Sequence, residues 1–233
     1  MTQGTSQTWY FTDAKSKLGD LYNILHIPYT AMLLAFVAIG AGVSPGFHVD
    51  RLAAALVAYS MGLGIGAHSI DQLEPTGSHY VKRMNRRELA WSGGLGLAGG
   101  TAIGSYYALT LTPWLIPLIA VNLFFAFAYP LPSRVAGGLF HNNLSFAFAW
   151  GALPFLTSFF ANSLTLNSVG AAVCVPVAAA AWTEIRLSRH ARSARKEGLP
   201  AGSYGRQERA LKVLVASTCA AALVLVVGRL LLG

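Results

Sequence analysis

Long apolar segments are the feature that most constrains the fold of this chain. An α-helix of about 20 apolar residues crosses the hydrocarbon core of a bilayer. Only 11% of the residues are charged, whereas soluble globular proteins carry about 25%. The sequence therefore predicts an all-α, polytopic transmembrane helical bundle with about seven spans. The predicted spans are residues 22–44, 50–71, 89–110, 112–130, 140–161, 166–187 and 209–231.

The composition changes little along the chain, and no internal repeat is visible. We therefore predict a single integral membrane domain over residues 1–233. Residues 1–20 are expected to form a polar cytoplasmic N-terminal segment, and residues 188–208 a basic cytoplasmic loop. Residues 1–20 contain no basic region followed by an apolar one, so a cleaved signal peptide is not expected.

The basic residues predict an orientation. With seven spans, 15 of the 17 Lys and Arg residues fall on the side of the N-terminus, leaving Arg51 and Arg229 on the other. Because cytoplasmic loops are rich in Lys and Arg, we expect a multi-pass protein of the cytoplasmic membrane with its N-terminus cytoplasmic and its C-terminus outside. The net charge is +8, and the basic residues flank apolar segments. This placement favours an interaction with membrane lipids over one with nucleic acid.

A polar stripe ends the second predicted span. His68, Asp71 and Glu74 are spaced three residues apart, so they lie along one side of a helix. Ionisable groups at the edge of an apolar environment cost free energy, and this cost indicates a functional role. We predict all three as catalytic residues, with Asp71 and Glu74 as candidate metal ligands.

Polar residues at the ends of other spans fall on the same predicted side. Together they predict a pocket for an amphiphile, whose anionic head would meet Arg and Lys or a divalent metal held by Asp and Glu. Two alternatives stay open: the arginines after span six could contact anionic lipid, and Glu184 could pair with Arg186 or Arg189. The predicted substrate-binding residues are Asn23, His26, Arg83, Arg86, Tyr129, Arg134, His141, Asn142, Glu184, Arg186, Arg189 and His190.

The order of these features resembles the UbiA superfamily of intramembrane prenyltransferases. The segment Ala67-His68-Ser69-Ile70-Asp71 stands where that family has an Asn-Asp-x-x-Asp motif after its second helix. Residues 80–88 resemble the family's Arg-containing loop, and residues 128–132 its Tyr-containing loop. Residues 149–154 are also similar, so the resemblance extends over roughly residues 20–190.

The resemblance implies a helical bundle with a cytoplasmic active site, where two Asp motifs bind Mg²⁺ and the diphosphate of a polyprenyl donor. This chain departs from that pattern, since it keeps Asp71 but has His68 in the place of the first Asp. The second Asp motif is absent, because residues 183–190 contain a single acidic residue, Glu184. The resemblance implies Mg²⁺ as the candidate cofactor, and direct binding of phosphate by Arg is the alternative.

Three functions remain open from the sequence. The first is a UbiA-like transferase that acts on an isoprenoid or other lipid at the cytoplasmic membrane face, by prenyl transfer. The second is a non-catalytic lipid-binding protein or complex subunit that kept the fold and binds a protein partner or forms a homo-oligomer. The third is a membrane metal-dependent oxidoreductase. Its ligands would come from His68, Asp71, Glu74, His141, Glu184 and His190.

Overall fold

We describe the protein from a computed structural model that covers residues 10–75 and 79–232. Within these residues the fold is all-helical, without a β-strand. A short 3-10 helix, Ala136–Gly138, lies between the fifth and sixth long helices. The helices are α1 (Lys17–Ile24), α2 (Ile27–Val43), α3 (Val49–Asp71), α4 (Arg86–Thr110), α5 (Leu115–Ala128), α6 (Asn143–Ser163), α7 (Ser168–Lys196) and α8 (Ala201–Leu232).

Several of these helices are long and apolar enough to cross a membrane. In the described residues α3, α6, α7 and α8 meet this condition by length and composition. Helices α1 and α2 meet it together, as one span with a bend of 49°, which raises the count to five. Helix α5 is apolar but has 14 residues, and α4 is not among the candidates. The helices support a multi-pass membrane protein, while seven spans and the likeness to UbiA remain predictions.

The break between α1 and α2 occurs at His26. This residue has a left-handed backbone with φ 44°, a conformation that costs a residue other than glycine some free energy. Pro28 follows in the first turn of α2, where proline is tolerated because that N–H has no partner within the helix. The break leaves Asn23 and His26 buried at one end of the bundle, with 1% and 7% of their surfaces exposed.

Helices α3 and α6 each contain a π-helical segment. These segments are Ser60–Ala67 in α3 and Ala147–Ala152 in α6. Glycines hold α4 close to the first of them: a β-carbon at Gly96 or Gly100 would lie 2.6 Å from a carbonyl oxygen of α3. This is the close approach of backbones that small residues permit in membrane helices. π-helical turns are often found at functional sites, and both segments border the site described below.

One end of the bundle carries most of the basic residues, and we call it the basic end. There the segment before α1 meets the connection between α3 and α4, through the Lys82 Nζ to Asp13 Oδ1 ion pair at 2.8 Å. The connection between α5 and α6 joins them, because the backbone N–H of Ser133 donates to Glu74 Oε2 at 3.4 Å. Which side of the membrane this end faces remains a prediction.

The two other basic residues lie at the opposite end of the bundle. Arg51 donates to the carbonyl oxygen of Ala161 at 3.0 Å, and Arg229 donates to that of Pro45 at 3.2 Å. The structure therefore separates these two arginines from the remaining Lys and Arg that it describes, as the predicted orientation requires.

The basic segment 188–208 is mostly helical, although the sequence predicted a loop. Helix α7 continues to Lys196 and α8 begins at Ala201, so only residues 197–200 connect them. Two N–H groups of Arg195 donate to Glu208 Oε1 at 2.9 and 2.6 Å, which links the two helices. The end of an apolar run marks where a span would leave the hydrocarbon core, and a helix can continue beyond that point into water.

Candidate functional site

A polar cavity of about 100 Å³ opens at the basic end of the bundle. Helices α2, α3, α6 and α7 and the residues after α5 form its walls. Its ionisable lining residues are His26, His68, Asp71, His141, Arg189 and Arg192. Its aromatic lining residues are Tyr29, Tyr129, Phe146 and Trp150. The cavity has room for several water molecules or for a polar group of a ligand.

The two π-helical segments both contribute to this cavity. Ala67 ends the first segment and His68 follows it, while Trp150 lies within the second. The ring of Trp150 stacks on that of Phe146 with centroids 5.6 Å apart, and Tyr129 packs against both rings. These three aromatic side chains therefore pack together as one part of the cavity wall.

Two arginines give the cavity an excess of positive charge. Arg189 and Arg192 lie three residues apart on α7, and Arg189 donates to the Tyr129 hydroxyl at 3.2 Å. No carboxylate of the described residues lies within ion-pair distance of either arginine. Asp71 is the one carboxylate found in the lining. Two guanidinium groups and one carboxylate favour an anionic ligand.

Two buried polar groups in the same lining have no hydrogen-bond partner among the described residues. They are the hydroxyl of Tyr29 and Nε1 of Trp150, in side chains that are 5% and 4% exposed. The Ser188 hydroxyl and the Arg192 guanidinium lie close to the Tyr29 hydroxyl, but within the described residues neither contact has the geometry of a hydrogen bond. Leaving such a donor unpaired costs about 1–3 kcal/mol. Acceptor oxygens of water or of a ligand would remove this cost.

Hydrogen bonds assign the tautomers of the cavity histidines. Nδ1 of His68 lies 3.0 Å from the carbonyl oxygen of Gly64, and Nδ1 of His141 lies 2.8 Å from that of Tyr129. A carbonyl oxygen only accepts, so Nδ1 carries the proton in both rings. In a neutral ring Nε2 is then the acceptor. In its neutral form His68 thus has its unprotonated nitrogen at Nε2.

His26 is held by Tyr80, a residue of the connection between α3 and α4. The Tyr80 hydroxyl lies 2.9 Å from Nδ1 of His26. Burial raises the pKa of the Tyr80 hydroxyl well above its usual value, and the nearby charge of Asp71 adds to this effect. Tyr80 is therefore a neutral phenol that shares a hydrogen bond with Nδ1 of His26. The ring centroids of His26 and His68 lie 4.7 Å apart.

The N-terminal segment covers this end of the cavity. The ring of Phe11 stacks on Tyr80 at 4.4 Å and contacts His26 at 4.8 Å. Asn23 fixes the segment, because its side chain accepts from the Thr12 backbone N–H at 3.0 Å and donates to the Thr12 carbonyl oxygen at 2.9 Å. Asn23 therefore acts on the cavity through the N-terminal segment and does not line it.

The structure brings some of the predicted site residues together and leaves others apart. Those that line the cavity are His26, His68, Asp71, Tyr129, His141 and Arg189. Those that are exposed on other surfaces of the basic end are Arg83, Arg86, Arg134, Asn142, Arg186 and His190. Asn142 caps α6 by accepting from the N–H of Ser145 at 2.9 Å. The guanidinium of Arg186 lies over the ring of Trp182 at 4.6 Å.

Two predicted carboxylates are buried outside the cavity lining. Glu74 is 1% exposed and accepts from Ser133. Glu184 is 2% exposed, and its Oε1 has no hydrogen-bond partner in the described part of the chain. It forms no ion pair with Arg186 or Arg189, so the proposed structural pairing is not observed.

The residues described contain no group of three or more His, Cys, Asp or Glu side chains placed to hold a metal ion. The three histidines of the cavity are therefore not arranged as a ligand set, and the oxidoreductase reading gains no support. For Mg²⁺, one carboxylate in the lining is fewer than the paired Asp motifs of the UbiA family supply. The arginines are the better-supported partners of an anion here, and Mg²⁺ binding by Asp71 remains a prediction.

Comparisons with known proteins do not assign a family. The chain matches no protein-family model, no curated protein and no solved structure. The resemblance to UbiA thus rests on the short motifs quoted above.

Sequence reasoning missed Arg192, Tyr29, Trp150 and Tyr80 as site residues. A signal for Arg192 was present: Arg189 and Arg192 follow Ile185 at spacings of four and seven residues, which places all three on one helical face. Tyr29 and Tyr80 had no comparable local signal, because their roles depend on contacts between distant segments.

Proposed function

We propose that this protein binds an amphiphile with a diphosphate-type anionic head in the polar cavity. The observation that carries the proposal is a set of groups in one lining that lack partners among the described residues: Arg189 and Arg192 have no carboxylate within ion-pair distance, and Tyr29 and Trp150 have no hydrogen-bond acceptor. Arginine binds phosphate oxygens through several N–H groups at once. Helices long enough to span a bilayer surround the site, which favours a ligand supplied by the membrane.

We further propose prenyl transfer, the reaction of the family that the sequence resembles, as the chemistry. In that reaction the bond between the first carbon of the chain and the diphosphate oxygen breaks, and the diphosphate leaves with the bonding electron pair. The chain joins an acceptor atom, which loses a proton. Arg189 and Arg192 would stabilise the leaving diphosphate. Nε2 of His68, an acceptor in the neutral ring, is the candidate for receiving the proton.

The binding step is tested with purified protein and geranylgeranyl diphosphate. The dissociation constant is measured for the wild type, for Arg192→Gln and for Arg186→Gln, each in Mg²⁺ and in EDTA. Loss of a hydrogen bond to a charged group costs about 1.5–3 kcal/mol, so Arg192→Gln should weaken binding about 10- to 100-fold. Arg186→Gln is the matched control, since Arg186 lies on the same helix but is exposed and contacts Trp182.

Several outcomes would contradict the proposal. Equal weakening by the two substitutions would show that the affinity comes from the general positive charge of α7. Binding of geranylgeraniol as tight as that of its diphosphate would show that the head group is not recognised. Binding that disappears in EDTA would replace direct recognition by arginine with recognition through a metal.

A second candidate function is lipid binding without catalysis. It is favoured by the single carboxylate, Asp71, in the cavity lining among the described residues. Release of pyrophosphate in the presence of Mg²⁺ and membrane lipid acceptors decides between the two. Turnover that Asp71→Asn or His68→Gln abolishes supports the transferase. Tight binding without release, unchanged in both variants, supports the non-catalytic protein.

A further inference from the structure

A second cavity, of about 110 Å³, lies between α3, α4, α5 and α6. Small residues leave this space open, among them Ala54, Ala58, Gly62 and Gly104. At Gly62 an added β-carbon would meet no atom within 4 Å. The cavity extends from the end of the bundle that holds Arg51 towards the bundle centre at Leu63.

The polar groups of this cavity satisfy one another. The hydroxyl of Tyr59 donates to Asn122 Oδ1 at 3.1 Å, and Nδ2 of Asn122 donates to Thr157 Oγ1 at 3.2 Å. The Thr157 hydroxyl donates to the carbonyl oxygen of Leu153 at 2.8 Å. No buried side-chain polar atom in its lining lacks a partner in the structure as described. An apolar ligand suits this lining, whereas the polar cavity has donors in need of acceptors.

The two cavities follow one another along the same helices. Leu63 lines the apolar cavity and Ala67, four residues later on α3, lines the polar one. Ala126 and Tyr129, three residues apart at the end of α5, show the same succession. Three or four residues correspond to about 5–6 Å along a helix axis. The two cavities therefore lie about one helical turn apart along α3 and α5.

We propose that the apolar cavity binds the hydrocarbon chain of the amphiphile whose head occupies the polar cavity. The inference rests on the proposed function. An apolar cavity of about 150 Å³ holds a benzene molecule, so this smaller space fits about four or five carbons, which is one branched isoprene unit. The site would thus recognise part of the chain, and the remainder would extend between the helices into lipid.

The test compares Gly62→Leu, which places a side chain in the cavity, with Gly94→Leu. Gly94 is exposed on α4, and a β-carbon there also meets no atom within 4 Å. Dissociation constants are measured for geranylgeranyl diphosphate and for inorganic pyrophosphate. Because the hydrocarbon chain of the ligand enters the cavity from lipid and not from water, blocking the cavity removes mainly packing contacts. Gly62→Leu should therefore weaken the binding of geranylgeranyl diphosphate by about tenfold. It should leave pyrophosphate unchanged, and Gly94→Leu should affect neither ligand.

A photoreactive diazirine on the isoprene unit next to the diphosphate, the unit that the cavity would hold, gives a second measurement on the wild type. Cross-links to residues 54–63 support the inference, and cross-links confined to other parts of the protein overturn it. Unchanged affinity of Gly62→Leu for the long-chain ligand also overturns it. If neither pyrophosphate nor the long-chain ligand binds the wild type, the proposed function itself fails, and this outcome is distinct from the other two.

Discussion

Asp20 offers a direct test of how the connections at the basic end of the bundle are held in place. Its side chain is fully buried in the first turn of α1. The carboxylate accepts the backbone N–H of Lys82 at 3.1 Å and of Met84 at 2.9 Å, and also that of Arg83 between them. These bonds fix the connection that presents Tyr80 to His26. We therefore predict that Asp20→Ala locally opens residues 82–84.

The expected acceleration of amide exchange follows from the loss of the three hydrogen bonds to Asp20. Each bond to a charged acceptor contributes about 1.5–3 kcal/mol, so their sum is about 4.5 kcal/mol at the low end. Water that enters the vacated space recovers part of this, which leaves about 3 kcal/mol for local opening. Since 1.4 kcal/mol is a factor of ten, amide hydrogen exchange at residues 82–84 should accelerate about 100-fold in Asp20→Ala. Asp20→Asn keeps one acceptor oxygen and should show about tenfold acceleration.

Hydrogen-exchange mass spectrometry of the purified protein gives the required measurement. Asp50→Asn is the control, because Asp50 is exposed at the opposite end of the bundle and the bond found there, from Tyr107, goes to its backbone carbonyl. Exchange at residues 82–84 that is the same in wild type and Asp20→Ala would refute the reasoning. It would mean that packing of Tyr80, and not the buried carboxylate, holds the connection.

Two further substitutions test individual contacts. Trp150→Phe keeps an aromatic ring on the cavity wall but removes the Nε1–H, which has no partner among the described residues. We expect an unchanged melting temperature and about tenfold weaker binding of geranylgeranyl diphosphate. Unchanged affinity would contradict the role of this donor. Arg195→Ala removes both N–H contacts to Glu208 and the packing of the guanidinium on Tyr204 at 4.3 Å. The loss of about 1–2 kcal/mol of stabilisation at this connection should speed thermolysin cleavage of residues 197–200 about tenfold. Arg195→Lys should give an intermediate rate. Equal cleavage rates in the wild type and Arg195→Ala would show that this pair does not join α7 to α8.

The resemblance to UbiA stays a prediction, and the charges of the cavity differ from those that the resemblance implies. His68 and Asp71, in the segment that resembles the first Asp motif, line the same cavity as Arg189 and Arg192. The acidic residue nearest the second motif position, Glu184, is buried outside its lining. An anionic head group in this cavity would therefore meet guanidinium groups first. This difference is why the binding experiment includes an arm without metal.

Local sequence patterns predicted the helices well. Each predicted span overlaps a helix of the structure, because apolar length and the Pro, Gly and Asn turns act within one segment. The segment 188–208 is the exception, since hydropathy reports where a helix would leave lipid and does not report where it ends. The hydropathy pattern also does not fix the number of helices that cross the membrane. Four or five helices of the described residues are long and apolar enough to do so.

The candidate site was predictable only where a polar residue stands against an apolar background. His68, Asp71 and Arg189 were found in this way. The same reasoning placed Arg83, Arg86 and Arg134 in the pocket, although all three are exposed. A charge at the end of a span shows which end of the bundle it occupies, and it does not show which direction its side chain takes.

The sequence by itself determined the class of fold and the segregation of basic residues at one end of the bundle, because both follow from the energetics of apolar and charged groups in lipid. Only the tertiary structure decided which side chains meet in the polar cavity. It turned Arg192 inward and Arg186 outward, and it brought Tyr80 and the N-terminal segment over His26. These outcomes depend on helix rotation and on contacts between distant segments. In the stripe that ends α3, it placed His68 and Asp71 in the lining and buried Glu74 beside it.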